Sequence, residues 1–190
     1  MNLILATSNP GKISEIQEIL SEFKLNIRAE QCDVEETGNT LQENALIKAR
    51  AMAALYPDAW ILADDSGLEV DYLEGAPGVH SARYAGEPQD SAANINKLLA
   101  ELGAANQRSA RFLTVLALIC PQGEVLIQGT VSGSISRQIK GSGGFGYDPV
   151  FIPDGYEQTF AEMPAAEKNK ISHRRMALNQ LRNYLSIGEF

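Results

Sequence analysis

Between Trp60 and Gly67 the chain reads WILADDSG: four residues of buried-strand character that run directly into two adjacent carboxylates, a hydroxyl and a glycine. Side chains alternate faces along a strand, so if Asp64 and Asp65 still belong to it they point opposite ways, and one aims into whatever lies beyond the strand's end. Two like charges side by side cost stability unless a cation, a hydrogen-bond donor or water compensates them. Asp, Ser and Gly are all favoured at bends, so a plain turn is the alternative to a metal or acid-base site.

The segments around this strand predict an α/β architecture. Leu3–Ala6 form a compact apolar run, TSNPGK follows, and Ile13, Ile16, Ile19 and Leu20 then recur at helical spacing: strand, loop, helix. A second helix is expected from Thr40 to about Tyr56, with Thr40 and Glu43 at capping-box spacing and Pro57 as the stop. Its apolar stripe runs through Leu41, Ala45, Ala49, Met52 and Ala53, while Asn44 and Lys48, four apart, share another face. LEVDYL after the aspartates reads as extended, and residues 75–86 as a long ordered loop or a set of short irregular elements. Ser91–Leu102 predict a helix with Asp90 or Ser91 as cap and Gly103 as terminator. Arg111–Cys120 and Glu124–Val131 read as two strands joined by the turn PQG, with SISRQI a possible third. The last helix is expected over 172–185, on Ala177, Leu178, Leu181, Tyr184 and Leu185. Alternating strands and helices with an antiparallel-looking middle suggest one α/β domain over 1–190, built around a mixed sheet.

Composition narrows the chemistry. With 190 residues, 44% of them apolar, the chain is long enough for one substantial core. No apolar run approaches the ~20 residues that span a bilayer, and LILA is too short and lacks the basic flank of a secretion signal, so a soluble cytoplasmic protein is expected. Cys32 and Cys120 stand apart without a CxxC partner, which fits a reducing compartment. With only His80 and His173 as histidines, a metal here is expected to be hard and oxygen-bound instead of zinc. The net charge of −8 argues against a nucleic-acid polymer but leaves room for a small anion. Lys168, Lys170, Arg174, Arg175 and Arg182 gather near the C-terminus.

Four pieces carry candidate chemistry. TSNPGK (7–12) offers backbone N–H groups, the positive end of a helix and the charge of Lys12 to an anion. It departs from the Walker loop, because Thr7 replaces the first glycine and Ile13 follows the lysine. Glu35 and Glu36 read as solvated surface unless they lie beside Asp64 and Asp65, where carboxylates, waters and substrate phosphates would suit Mg²⁺. GSGGFGYDP (141–149) combines flexible glycines with Phe145 and Tyr147, on which a base could stack, and with Asp148. EKNKISHRR (167–175) puts His173 and Arg174 at the positive end of a helix, against the macrodipole; a broken local rule of this kind often marks function.

Taken together and in this order, ATSNPGK, EETGNTLQENALIKA, ADDSGLEVD, GAPGVHSARYAG, GGFGYDPVF and EKNKISHRRMAL resemble the inosine/xanthosine triphosphate pyrophosphatase family over nearly the whole chain. The resemblance implies a long mixed β-sheet flanked by helices, with two lobes around a central cleft, and a homodimer. It implies Mg²⁺-dependent conversion of ITP, dITP or XTP to the monophosphate and pyrophosphate. By position, Thr7, Ser8, Asn9, Pro10, Gly11 and Lys12 would hold the triphosphate, with Lys48 assisting. Glu35 and Asp65 would bind the metal, Asp65 doubling as base for the attacking water. Ser66 would touch substrate, Phe145, Gly146, Tyr147 and Asp148 would clasp base and sugar, and Lys168, His173 and Arg174 would read the purine's oxo edge. Asp64 is left as a supporting ligand or a hydrogen-bonded brace. His80 stands where the family more often has tyrosine, and relatives vary in the middle of TSNPGK. The competing readings are a kinase or GTPase using residues 7–12, which would release phosphate, and a nucleotide-sensing module that binds without turnover.

Overall fold

A computed structural model describes residues 2–21 and 26–187. Among them, β1 (Asn2–Ala6) leads into α1 (Pro10–Leu20) and β2 (Asn26–Glu30), and α2 (Leu41–Leu55) leads into β3 (Trp60–Val70). After the short β4 (Pro77–Gly78) come α3 (Ser91–Leu102), β5 (Ser109–Cys120), β6 (Gly123–Ile135), β7 (Phe151–Pro153), α4 (Ala165–Ile171) and α5 (His173–Ile187). The strands form one seven-stranded sheet in the order β2-β1-β3-β5-β6-β7, with β4 on β3. It is mixed: β1 runs parallel to β2 and β3, whereas β4 and β7 pair antiparallel with β3 and β6. Helices flank it as the sequence suggested, and among the described residues no helix is long and apolar enough to cross a membrane.

The chain divides into two compact units. One comprises Met1–Asp65, Thr114–Gly129 and Arg174–Phe190, the other Ser66–Leu113 and Thr130–His173. Each has its own apolar core. In the first, Leu3, Leu5, Trp60 and Leu62 pack with Ile16 and Ile19 of α1 and Leu178 and Leu181 of α5. In the second, Leu68 and Val70 pack with Ile95 and Leu98 of α3 and the rings of Phe112, Phe151 and Phe160.

Several boundaries differ from the sequence reading. β3 does not stop at Ala63: it continues through both aspartates to Val70, so the turn is excluded and the opposed side chains follow. LEVDYL is strand only to Val70, after which Asp71–Leu73 make a single 3₁₀ turn. SISRQI is no third strand; Ser134 and Ile135 end β6 and pair with Ile152 and Phe151. α2 is capped by Thr40, whose Oγ1 accepts from Glu43 N at 3.1 Å, while Glu43 Oε2 reaches one residue further back, to Asn39 N. The Asn44 and Lys48 face of α2 is buried along with the apolar stripe.

The register sets up the first unit's chemistry. In the order 2-1-3 the connection from β1 to β2 and the one from β2 to β3 run in opposite directions, so a switch point lies between β1 and β3, and the crevice at the carboxyl ends of such strands is where α/β sheets collect ligands. Ala6 pairs with Ala63. The loop from Thr7 therefore leaves the sheet beside the point where Asp64 begins.

Candidate active site

Asn9 caps α1: its Oδ1 accepts from Gly11 N at 2.9 Å and Lys12 N at 3.1 Å, with Pro10 in the first helical position. Those two amides are already satisfied, so the positive charge this loop presents is mainly that of Lys12. Ser8, Asn9 and Pro10 are exposed and Thr7 is half-buried, its Oγ1 accepting from Asn9 N. In the first turn of α1, the Lys12 ammonium pairs with the Asp64 carboxylate and donates to the Asp64 carbonyl at 3.3 Å.

Asp64 lies on one face of β3 and is buried. Arg174, at the start of α5, donates from Nε to Asp64 Oδ2 at 2.8 Å and from Nη1 to Glu15 of α1. Burial pushes the Asp64 carboxyl up, but Arg174 and Lys12 outweigh it and hold it far below the usual carboxylate range. Burial would likewise lower Arg174, but Asp64 and Glu15 raise it further above its ordinary value. Glu15 was not singled out from the sequence, although a glutamate on the buried stripe of α1 beside Ile16 and Ile19 was a readable signal. The guanidinium that the resemblance assigns to the purine edge is here only 1% exposed and held by two carboxylates. They also compensate its placement against the helix dipole.

Asp65 lies on the other face, and its surroundings are poorer in cations. Lys48 Nζ sits among Asp65 Oδ1 at 3.0 Å, Glu36 Oε1 at 2.8 Å and the Asp64 carbonyl at 2.9 Å, which uses all three of its donors. Desolvation opposes charge on Lys48, but Asp65 and Glu36 raise it above an ordinary lysine. For Asp65 burial wins: it lifts the carboxyl above its ordinary value despite Lys48 and Lys12, and Glu36 pushes the same way. The pair thus moves upward at both ends, because one ammonium is shared between two carboxylates. Asp65 Oδ2, buried, has no hydrogen-bond partner among the described residues. Of the adjacent glutamates, Glu36 meets Lys48, while Glu35, the expected ligand, is exposed.

This geometry fits a hard cation. Asp64, Asp65, Glu15 and Glu36 face Lys12, Lys48 and Arg174, four carboxylates against three cations. Asp65 Oδ2, without a partner among the described residues and on a carboxylate that shares its ammonium with Glu36, is an oxygen that could hold a cation. Among the described residues no three His, Cys, Asp or Glu side chains converge as a metal cage. Mg²⁺ takes one or two carboxylates and draws its other ligands from water and phosphate.

The second unit holds a separate polar group. Asp148 Oδ2 accepts from Lys168 Nζ at 2.6 Å and from Phe145 N at 2.8 Å, closing the loop before β7 onto α4. Gly144 has φ +70°, and a Cβ there would collide with the Asp148 carboxylate, so the loop needs glycine at that point. Lys168 Nζ lies 4.7 Å from the Phe145 ring centroid, and that ring is half-buried. Tyr147 is different from the expected stacking surface: its ring belongs to the core, and its hydroxyl donates to the Ser81 carbonyl at 2.8 Å. His173 is buried and stacked on Phe112, centroids 4.7 Å apart. Ser66 follows Asp65 on β3, half-buried.

Thus Lys12, Lys48 and Asp65 come together in the first unit, joined by Glu36, Asp64, Glu15 and Arg174; Phe145, Asp148 and Lys168 come together in the second. The sequence model of the Ham1 family matches residues 3–184. A dITP/XTP pyrophosphatase of Porphyromonas gingivalis is 50% identical over 96% of this chain and 96% of its own, and one of Christiangramia forsetii is 47% identical over 98% and 100%. Among solved structures, the Ham1 protein of Staphylococcus aureus is 40% identical with a TM-score of 0.85, covering 98% of both chains. A HAM1 protein from Coxiella burnetii is 41% identical with a TM-score of 0.86, covering 99% of this chain and 100% of its own. On these matches, which span nearly the whole chain, the chain belongs to the Ham1 family.

Proposed function

We propose that the chain hydrolyses non-standard purine nucleoside triphosphates, ITP, dITP and XTP, to the monophosphate and pyrophosphate with Mg²⁺, as a cytoplasmic homodimer that clears such nucleotides from the pool. The observation that carries the mechanism is Asp65: a buried carboxylate with one oxygen on Lys48, the other without a partner among the described residues, and a raised pKa. Such a group is a better proton acceptor than an ordinary aspartate, which supports reading it as the base for the attacking water. Asp65 and Glu36 would hold the ion, Glu36 in preference to the exposed Glu35. Mg²⁺ bound there would supply neutralisation of phosphate charge and a more acidic water. Lys12 and Lys48 supply positive charge to the triphosphate, and the Thr7–Gly11 loop shapes its approach.

Selectivity has to come from the base, since every nucleoside triphosphate carries the same phosphates. Phe145 offers the stacking face, Gly146 and Asp148 shape the clasp with the Tyr147 backbone, and Lys168 and His173 are the side-chain donors for a 6-oxo group. A 6-amino group would meet them donor to donor, a mismatch that costs about 1–3 kcal/mol per unsatisfied group when buried. Ser66 is the remaining contact. Arg174 is assigned to bracing Asp64, because two carboxylates hold its guanidinium.

The test is a product assay with ITP, dITP, XTP, ATP and GTP, with and without Mg²⁺. Pyrophosphate released from the deaminated nucleotides only when Mg²⁺ is present is the expected result. Release of single phosphates, or binding without turnover, would overturn the reading. Light scattering on the purified chain checks the dimer.

A further inference from the structure

Asn44 has no task in the hydrolytic reading, yet it is the least expected residue of α2. It lies four residues before Lys48 and so on the same face. It is completely buried, although asparagine disfavours helix interiors because its amide competes for backbone hydrogen bonds. Its Oδ1 accepts the Gly38 N–H at 2.8 Å. Its Nδ2 meets no acceptor among the described residues. A buried donor left unsatisfied costs free energy that a leucine of similar size would avoid. What favours an amide here is therefore the acceptor it offers to Gly38.

Gly38 is pressed against the helix: a Cβ there would come within 2.6 Å of both Asn44 Oδ1 and Glu43 Cβ. The next amide, Asn39 N, donates to Glu43 Oε2 at 2.6 Å. The acidic loop is thus fastened at two successive amides to the first turns of α2, two residues beyond Glu36. Glu36 in turn meets Lys48 one turn further along the same helix face. We propose that Asn44 is a positioning residue: through the Gly38 N–H it fixes the loop so that Glu36 meets Lys48, and Lys48 then holds Asp65. The proposal rests on the reading of Asp65 and Glu36 as parts of the hydrolytic site.

The test is a double-mutant cycle of Asn44→Leu and Glu36→Gln, read as kcat/KM for dITP. Asn44→Leu alone is expected to lose about tenfold with little change in Tm, and less than about twofold in the Glu36→Gln background, because a residue that acts through Glu36 then has nothing to position. Asn44→Asp keeps an acceptor for Gly38 and should restore most of the activity. If Asn44→Leu does not fold, Asn44→Ala carries the same cycle. Equal losses in both backgrounds would overturn the proposal. Amide hydrogen exchange at residues 36–39 should quicken in Asn44→Leu; unchanged exchange would overturn it even if hydrolysis stands. A wild-type chain that releases no pyrophosphate would sink the hydrolytic reading, and the exchange result would still decide whether Asn44 holds the loop.

Discussion

On one face of β3, Asp64 meets Arg174 and Lys12 and its carboxyl is held well below the usual range, although burial pulls the other way; on the opposite face, Asp65 shares Lys48 with Glu36, keeps one oxygen without a partner among the described residues, and is raised. One peptide bond separates them. The difference arises from strand alternation, which sends consecutive side chains to environments built from different helices: α1 and α5 for Asp64, α2 and the acidic loop for Asp65. A saturated carboxylate is a brace, and an under-compensated one is available for chemistry.

Substitutions at the two positions should therefore fail in different ways. Asp65→Asn gives the largest expected effect, a loss of ~10²–10⁴ in turnover with nearly unchanged Tm, since general-base help is typically of that size; steady-state kinetics beside a thermal melt checks it, and near-normal turnover would remove Asp65 from its role.

Asp64→Asn should show mainly in stability. It strips a buried carboxylate from Arg174 and Lys12, and breaking such a pair costs about 3 kcal/mol or more. Because the folded pKa of Asp64 lies below its unfolded value of about 3.9, its contribution is full above that value and is lost as pH falls through the folded one. Denaturant melts against pH should show a wild-type acid limb that is shallower in Asp64→Asn. Lys48 behaves oppositely: its raised pKa contributes stability below about 10.4 that disappears as pH rises beyond its folded value.

The smallest contrast lies in the glutamate pair. Glu36→Gln should lower activity about tenfold and raise the Mg²⁺ needed for half-maximal rate, a step on the scale of one coupled contact. Glu35→Gln, altering an exposed side chain, should change neither appreciably. A reversed order would return the ligand role to Glu35.

Much of this was legible beforehand where a local signal was strong. The Thr40 cap, the α3 cap at Asp90, one of the two candidates with Ser91, the Gly103 stop and the strand into Asp64 all followed from side-chain chemistry near in sequence. The three-residue β7 and the seven-residue α4 were missed, because neither is long enough to display a period. Adjacent Glu35 and Glu36 carry the same local signal, and only the loop's attachment to α2 turns the second toward Lys48. The Arg174–Glu15 pairing joins helices 159 residues apart in sequence, so no spacing rule could reveal it. Tyr147 reads in the sequence as a flat ring on which a base could stack, whereas the partner of its hydroxyl, the Ser81 carbonyl, lies 66 residues away.

The division between the two aspartates is tested most directly by following their carboxyl carbons by NMR, first through a pH titration without metal and then with Mg²⁺. Asp65 should titrate above the ordinary aspartate range and shift when Mg²⁺ is added, while Asp64 stays ionised to far lower pH and does not respond. An Asp64 resonance that titrates at or above that of Asp65, or that shifts with Mg²⁺ while Asp65 does not, would contradict it.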